Sequence, residues 1–412
     1  MDKKNTSKTA GAETSRRIRH ITLLLCALFS VAIFYSVFFA GLNKPVQNEN
    51  IPKQSAEEVK SSEAAEAEKP VQNKLKDPPE EVKALYLTGW SAGNSAKMDG
   101  IIDLIGKEKL NAVVIDIKDY SGYISYKTGV EEILKYKSEQ IMISDIDALL
   151  KKLHENNIYA IARITVFQDP VLARARPDLA IKNKATGNVW RDNKGLSWID
   201  PASTEAWDYI AKIALDASNK GFDEINFDYV RFPSDGSLGN MSYPFYDAKK
   251  SEKHEVIREF FSHLDSSLPG VKISADLFGL ATINKDDLGI GQVIEDAYEY
   301  FDFICPMTYP SHYAVGFQGY KNPASYPYEV VKYSMEKAKI RLDEFNKNSS
   351  EDLKAKRQPK LRPWLQAFDM GGAYGPERVK AQIKASNESG GVGWILWNAS
   401  NKYSARVKDI GD

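Results

Sequence analysis

The chain has 412 residues, with 55 Lys+Arg against 56 Asp+Glu and a net charge of −1. That length fits two or three ordinary domains or one large α/β barrel with extensions, and the balanced charge lacks the basic field with which nucleic-acid binders hold phosphate, so no nucleic-acid partner is expected. Cys26 and Cys305 fall in unrelated stretches, which excludes a disulfide framework and a cysteine-rich metal site.

Residues 1–20 carry Lys3, Lys4, Lys8, Arg16, Arg17 and Arg19, and the run 21–42 that follows has no charge. A bilayer core takes about 20 apolar residues, so 21–42 reads as a transmembrane signal-anchor helix. The basic cluster keeps 1–20 cytoplasmic and sends the rest across, making the protein single-pass with an extracytoplasmic C-terminal part at the cell membrane. A cleaved signal peptide fits less well, because the run is too long and Phe38-Phe39-Ala40 is not a small-x-small cleavage site. Residues 43–80 contain no Phe, Tyr or Trp, carry Pro45, Pro52, Pro70, Pro78 and Pro79, and repeat KPVQN at 44–48 and 69–73. They read as a disordered linker.

From residue 81 strand-like runs recur at 82–90, 112–119, 159–167, 223–233, 272–280, 301–309, 361–368 and 391–399. Amphipathic stretches lie between them, among them 144–155, 204–219, 252–266, 327–345 and 376–389. Strict β-then-α alternation calls for parallel strands with crossover helices. Eight such units fit a (β/α)8 TIM barrel over 81–412, since an open doubly wound sheet more often stops at five or six strands. No dinucleotide or phosphate fingerprint follows the first run, and no cofactor is expected.

Barrel strands covered on both sides should be apolar nearly throughout. Here Val113, Ile115 and Ile117 alternate with Val114, Asp116 and Lys118. Ile225, Phe227 and Tyr229 alternate with Asn226, Asp228 and Val230, and Ile273, Ala275 and Leu277 with Ser274, Asp276 and Phe278. The polar side is read as the inner side, joined by Arg163, Met307, Tyr309, Gln366 and Asn398, with Trp397 on the face opposite Asn398. Most of these fall late in their strands, at the C-terminal mouth where barrel active sites form. The plain alternative is structural pairing, of Asp116 with Lys118 or Arg163 and of Asp228 with Arg231.

The mouth collects Asp116, Asp119, Asp228, Asp276 and Asp369 with one histidine, His312, after the sixth run; His154, His254 and His263 fall in helical stretches. No metal-ligand spacing and no G-x-S-x-G elbow is present, so neither a metal hydrolase nor a serine triad is supported. Carboxylates among aromatics suit glycosidic cleavage, in which one carboxyl protonates the leaving oxygen and another attacks or stabilises the oxocarbenium-like centre. Asp228 is the expected nucleophile or stabiliser and Asp276 the general acid, with a raised pKa and Asp116 in reserve. A tight pairing of Asp276 with Arg163 or Lys118 would pass the acid role to Asp116 or a loop carboxyl. Arg231, Tyr309, Trp397, Arg163, Gln366, Asp369, His312 and Lys118 are the expected substrate contacts. Strand spacing of about 4.8 Å sets an Asp228–Asp276 pair roughly 5–6 Å apart, as in retaining enzymes, and an Asp228–Asp116 pair about 9–10 Å apart, as in inverting ones.

From about residue 82 the chain resembles the glycoside hydrolase domains of bacterial membrane-anchored and secreted proteins, distantly similar to family 18 glycoside hydrolases. The resemblance rests on Ser197-Trp198-Ile199-Asp200-Pro201 and on Phe227-Asp228-Tyr229-Val230-Arg231-Phe232-Pro233. The family 18 pattern D-x-x-D-x-D-x-E aligns with Asp223, Asn226, Asp228 and Val230, its M-x-Y with Met307-Thr308-Tyr309, and its strand-eight tryptophan with Trp397. The resemblance implies a TIM barrel acting on a cell-wall or matrix polysaccharide. Val230 stands where that pattern has its acid Glu, so the acid comes from elsewhere, or the barrel is a non-catalytic glycan-binding or envelope-scaffolding one.

Overall fold

The computed structural model describes residues 74–410. The basic N-terminus, the apolar run at 21–42 and the linker through residue 73 lie outside the described residues, among which no helix is long and apolar enough to cross a membrane. Among them, eight parallel strands close into a ring: β1 (Val82–Leu87), β2 (Ala112–Lys118), β3 (Tyr159–Thr165), β4 (Glu224–Asp228), β5 (Lys272–Phe278), β6 (Phe303–Met307), β7 (Trp364–Gln366) and β8 (Gly393–Trp397). Each pairs with its sequence neighbours, and β1 closes the ring by pairing with both β2 and β8. The crossover helices are α1 (Ser95–Lys107), α2 (Ile146–Glu155), α3 (Thr204–Lys220), α4 (Lys253–Ser267), α5 (Ile294–Tyr300), α6 (Pro327–Asn348) and α7 (Pro376–Glu388). This is the (β/α)8 arrangement that the alternation predicts.

Local chemistry sets the boundaries. Ser203 caps α3 by accepting from the Ala206 amide, and Gly221, at φ 109°, ends it in the left-handed conformation that glycine takes without strain. The seventh run is split. Lys360–Leu361 pairs with β6 first, then Pro363, which has no N–H to give, interrupts the ladder before Trp364. The insertion after β3 and the loop after β4 are joined by a two-stranded antiparallel ribbon, Lys182–Asn183 with Met241–Ser242.

The outward strand faces, including Val113, Ile115, Ile225, Phe227, Ile273 and Leu277, pack against the helices in one continuous apolar layer. The inside is mixed. Ala84, Val114, Ile161, Cys305 and Ile395 fill part of it, and a polar ladder climbs the rest. Arg362 and Glu224, both fully enclosed, form a bidentate pair, with Nη1–Oε2 at 3.1 Å. Ser274 Oγ donates to Glu224 at 2.6 Å, and Asn226 Nδ2 donates to Ser274 Oγ at 3.0 Å and to Asp276 Oδ1 at 2.8 Å. At the opposite, N-terminal end, Asp223 accepts from the amides of Leu75 and Ala160 at 2.7 and 2.8 Å and meets His154 at 3.0 Å. His154 is therefore held against the barrel floor, and Leu75, at the end of the stretch read as linker, already packs on the barrel.

Breaking the enclosed pair from one side strands a charge, whereas replacing both members with apolar side chains does not. Arg362→Met alone should lower the unfolding free energy by about 3–5 kcal/mol, and Glu224→Met with Arg362→Met should recover most of that loss. Denaturant titration of the three proteins checks this.

Candidate active site

Arg163, on the inner face of β3, is the centre of the mouth. Register sets Asp116 beside Arg163 and Asp228 beside Thr165, so the neighbouring carboxylates flank one guanidinium. Its Nη1 donates to Asp116 Oδ1 and its Nη2 to Asp228 Oδ2, while Nε lies 3.6 Å from Asp276 Oδ2. Tyr86 OH donates to the other oxygen of Asp116, and the Tyr229 amide donates to Asp228 Oδ1 at 2.5 Å. Asp276 Oδ1 accepts from Asn226 and, at 2.7 Å, from Trp364 Nε1, but its Oδ2 has no hydrogen-bond partner among the described residues. Tyr229 reaches Asp228 from a left-handed backbone, φ 56°, a strained conformation for a bulky residue.

Three carboxylates around one cation cannot all stay charged cheaply away from water. Burial pushes Asp116 up to about 6, against the pull of Arg163. Burial also holds Asp276 well above the usual carboxylate range, helped by the like charge of Asp228 and opposed by Arg163. The direction expected for Asp276 is thus present. The strand between Asp116 and Asp228 carries Arg163, whose two terminal nitrogens draw both carboxylates onto one guanidinium, so the Asp228–Asp116 gap is not set by strand spacing alone.

Around this centre the aromatics form a wall. Tyr309 and Trp397 stack at 5.7 Å, Tyr86 lies 6.2 Å from Trp397, and Phe368 meets both Tyr309 and Trp397 edge-on. Burial, with Asp276 and Asp228 nearby, raises the Tyr309 phenol well above its ordinary value. His312 sits exposed at the rim against Tyr309 and Phe368. Trp90, 60% exposed, stands on the turn after β1.

Several residues lie elsewhere than expected. Trp397 pairs with Gln366 in register and faces inward, while Asn398 turns to the backbone carbonyls of Ala367 and Lys402. Lys118 leaves the inner face because the β2–β3 register slips between Asp116 and Lys118, reversing the alternation; it is fully enclosed, paired with Asp169 at 2.9 Å and donating to the Thr165 carbonyl at 2.6 Å. Gln366 braces loops, bonding the Ser311 amide and the Phe368 carbonyl. Asp369 is exposed, paired with Arg406 and pulled down to about 2 by that hydrogen bond, on the rim of a separate cleft beside α1. Arg231 does not pair with Asp228, whose cation is Arg163. Val230 is buried in the outer apolar layer. Sequence reasoning left out Tyr86, Asn226 and Trp364 as donors. The signal was parity: Asn226 lies two residues before Asp228, and Tyr86 ends the small inner series Val82, Ala84, Tyr86.

The folded pKa of Asp116, about 6, lies above its ordinary 3.8. The fold therefore holds more protons than the unfolded chain across that window. The stabilisation from the bound proton is complete below about pH 4 and is lost as pH rises through about 6, a change of about 3 kcal/mol. Unfolding free energies at pH 4 and pH 7 should thus fall more steeply for wild type than for Asp116→Asn, and parallel profiles would show that Asp116 titrates normally.

A protein family described as "Putative glycosyl hydrolase domain" matches residues 84–403. Among solved structures, a hypothetical protein from Ruminiclostridium thermocellum is 39% identical over 50% of this chain and 98% of its own, with a TM-score of 0.44. The PgaB (BpsB) glycoside hydrolase domain from Bordetella bronchiseptica is 13% identical over 78% of this chain and 95% of its own, at a TM-score of 0.54, a likeness of fold. No curated protein matches. With its closed barrel and its carboxylates gathered at the C-terminal mouth, the chain belongs to that glycosyl hydrolase family.

Proposed function

We propose that the barrel is the catalytic domain of a membrane-anchored extracytoplasmic glycoside hydrolase that cleaves a cell-wall or matrix polysaccharide. The observation that carries the reading is the convergence of Asp116, Asp228 and Asp276 on Arg163 beside the Tyr309–Trp397 stack. Asp228, at the last position of β4 and 6% exposed, is the nucleophile or charge stabiliser, its two oxygens aimed by Arg163 and the Tyr229 amide. Asp276 has no exposed surface. Burial and the like charge of the neighbouring Asp228 favour its protonated form. The acid role then passes to Asp116, which is 4% exposed and, at about 6, is protonated in part near neutral pH. Tyr309 and Trp397 offer a ring face for a sugar.

Asp228→Asn should lose turnover by at least about 10²-fold, and Asp116→Asn by roughly 10²–10⁴-fold with loss of the alkaline limb near pH 6. Reducing-end release from wall and matrix glycans measures both. Glycan binding by wild type without any turnover would favour a lectin-like barrel, as Val230 in place of the family 18 acid allows. The anchor at 21–42 and the cytoplasmic placement of 1–20 are supported by the order of basic cluster and apolar run. Protease added to intact cells should remove the barrel, and a protected barrel would reverse the orientation.

A further inference from the structure

Arg231 is 6% exposed and makes no ion pair within 4.0 Å among the described residues. Its guanidinium carbon lies 4.9 Å from the Trp198 ring, 5.2 Å from Tyr229 and 4.9 Å from Phe278. One hydrogen bond ties it down, from Nη1 to the Phe232 carbonyl at 3.0 Å. Among the described residues Nε and Nη2 have no hydrogen-bond partner. The carboxylates whose charge acts on Arg231, Asp228, Asp235 and Asp192, accept hydrogen bonds from other groups. Asp228 is held by Arg163 and the Tyr229 amide. Asp192 accepts from the amides of Lys194 and Leu196 and from the side chains of Gln168 and Trp198, and Asp235 accepts from the Asn193 amide.

A guanidinium taken this far out of water with no carboxylate in contact is costly, and three ring faces with the more distant charges of Asp228, Asp235 and Asp192 offset only part of that cost. Arg231 stands three residues past Asp228, and Phe278 two past Asp276, so the box lies on the mouth side of both carboxylates. Its free edge is Nε with Nη2, the side-on fork that matches a planar carboxylate with two parallel hydrogen bonds. A phosphate dianion would call for more cationic donors than this single one.

Building on the glycosidase reading, we propose that the box formed by Arg231, Trp198, Tyr229 and Phe278 is a subsite for a sugar carboxylate, so that the substrate is an acidic polysaccharide. The Arg231 fork takes the carboxylate, and the unit so held places its glycosidic bond at Asp228. The box belongs to the substrate-binding surface and leaves the chemistry to the carboxylates below.

The test uses the full-length protein in detergent with polygalacturonate, hyaluronan and alginate, each beside its carboxyl-reduced neutral counterpart. Oligosaccharide binding is read by calorimetry and cleavage by reducing ends. Wild type should favour the acidic member of at least one pair by about 10- to 100-fold, the worth of a charge-assisted hydrogen bond. Arg231→Gln should bring the acidic member down to the neutral one through KM, and Arg231→Lys, which keeps the charge but not the fork, should fall between. Thermal unfolding identifies a variant that fails to fold, and the paired glycans on wild type need no variant. Selective, Arg231-dependent binding without cleavage would keep the subsite and sink the glycosidase reading. Equal use of both members of every pair, or binding of neither, would overturn the subsite.

Discussion

Everything at the mouth depends on one guanidinium. Arg163 projects into the barrel from β3 and meets carboxylates from β2, β4 and β5, so four of the eight strands are tied at one point. An arginine suits this place because its planar fork offers donors along several directions at once, which a lysine ammonium on a flexible stem does not. One cation against three carboxylates still leaves an excess of negative charge in a space with little water, and protons make up the difference. Burial is the main reason that Asp116 and Asp276 are raised, with the like charges of Asp119 and Asp228 adding to it and Arg163 opposing it. Enclosure of this kind favours the protonated form of a carboxyl.

Much of this was legible in the chain. The alternation of Ile225, Phe227 with Asn226, Asp228, and of Ile273, Ala275 with Ser274, Asp276, marks the inner face directly, because a strand has two sides and only one can meet the apolar helices. The limits of legibility are equally specific. Parity counting fails wherever a register slips, as at Lys118, and wherever a strand's phase is fixed by its neighbour, as at Trp397. Asp369 looks like a mouth carboxylate in sequence, but it lies on a loop, and loop direction has no period to read. Arg163 as the hub could not be singled out from Arg231 by sequence, since both lie among carboxylates and only the register says which one reaches Asp228.

The loop after β4 shows how the insertion serves the site. Trp198 lies under Arg231, and Asp200, two residues on, accepts from the amides of Phe245 and Tyr246, pinning that loop against the insertion. Tyr229 holds its left-handed backbone between them, its ring 5.9 Å from Trp198. A strained residue of this kind persists only when its surroundings fix it from several directions. The Ser197-Trp198-Ile199-Asp200-Pro201 string is therefore a scaffold for the segment that follows Asp228.

The polar ladder inside the barrel bears on how such a domain can be divided. Eight-fold barrels are often pictured as two four-strand halves, each with an apolar face that the other covers. In this chain a cut between β4 and β5 parts Glu224 from Arg362 and Asp276 from Arg163. Each fragment would carry unmatched ionic groups on the surface that should become its core, and a foreign half would mate with it only by supplying the complementary charges at the same height. The barrel is in this sense indivisible, and exchange of segments between related chains has to carry Glu224 and Arg362 together or replace both.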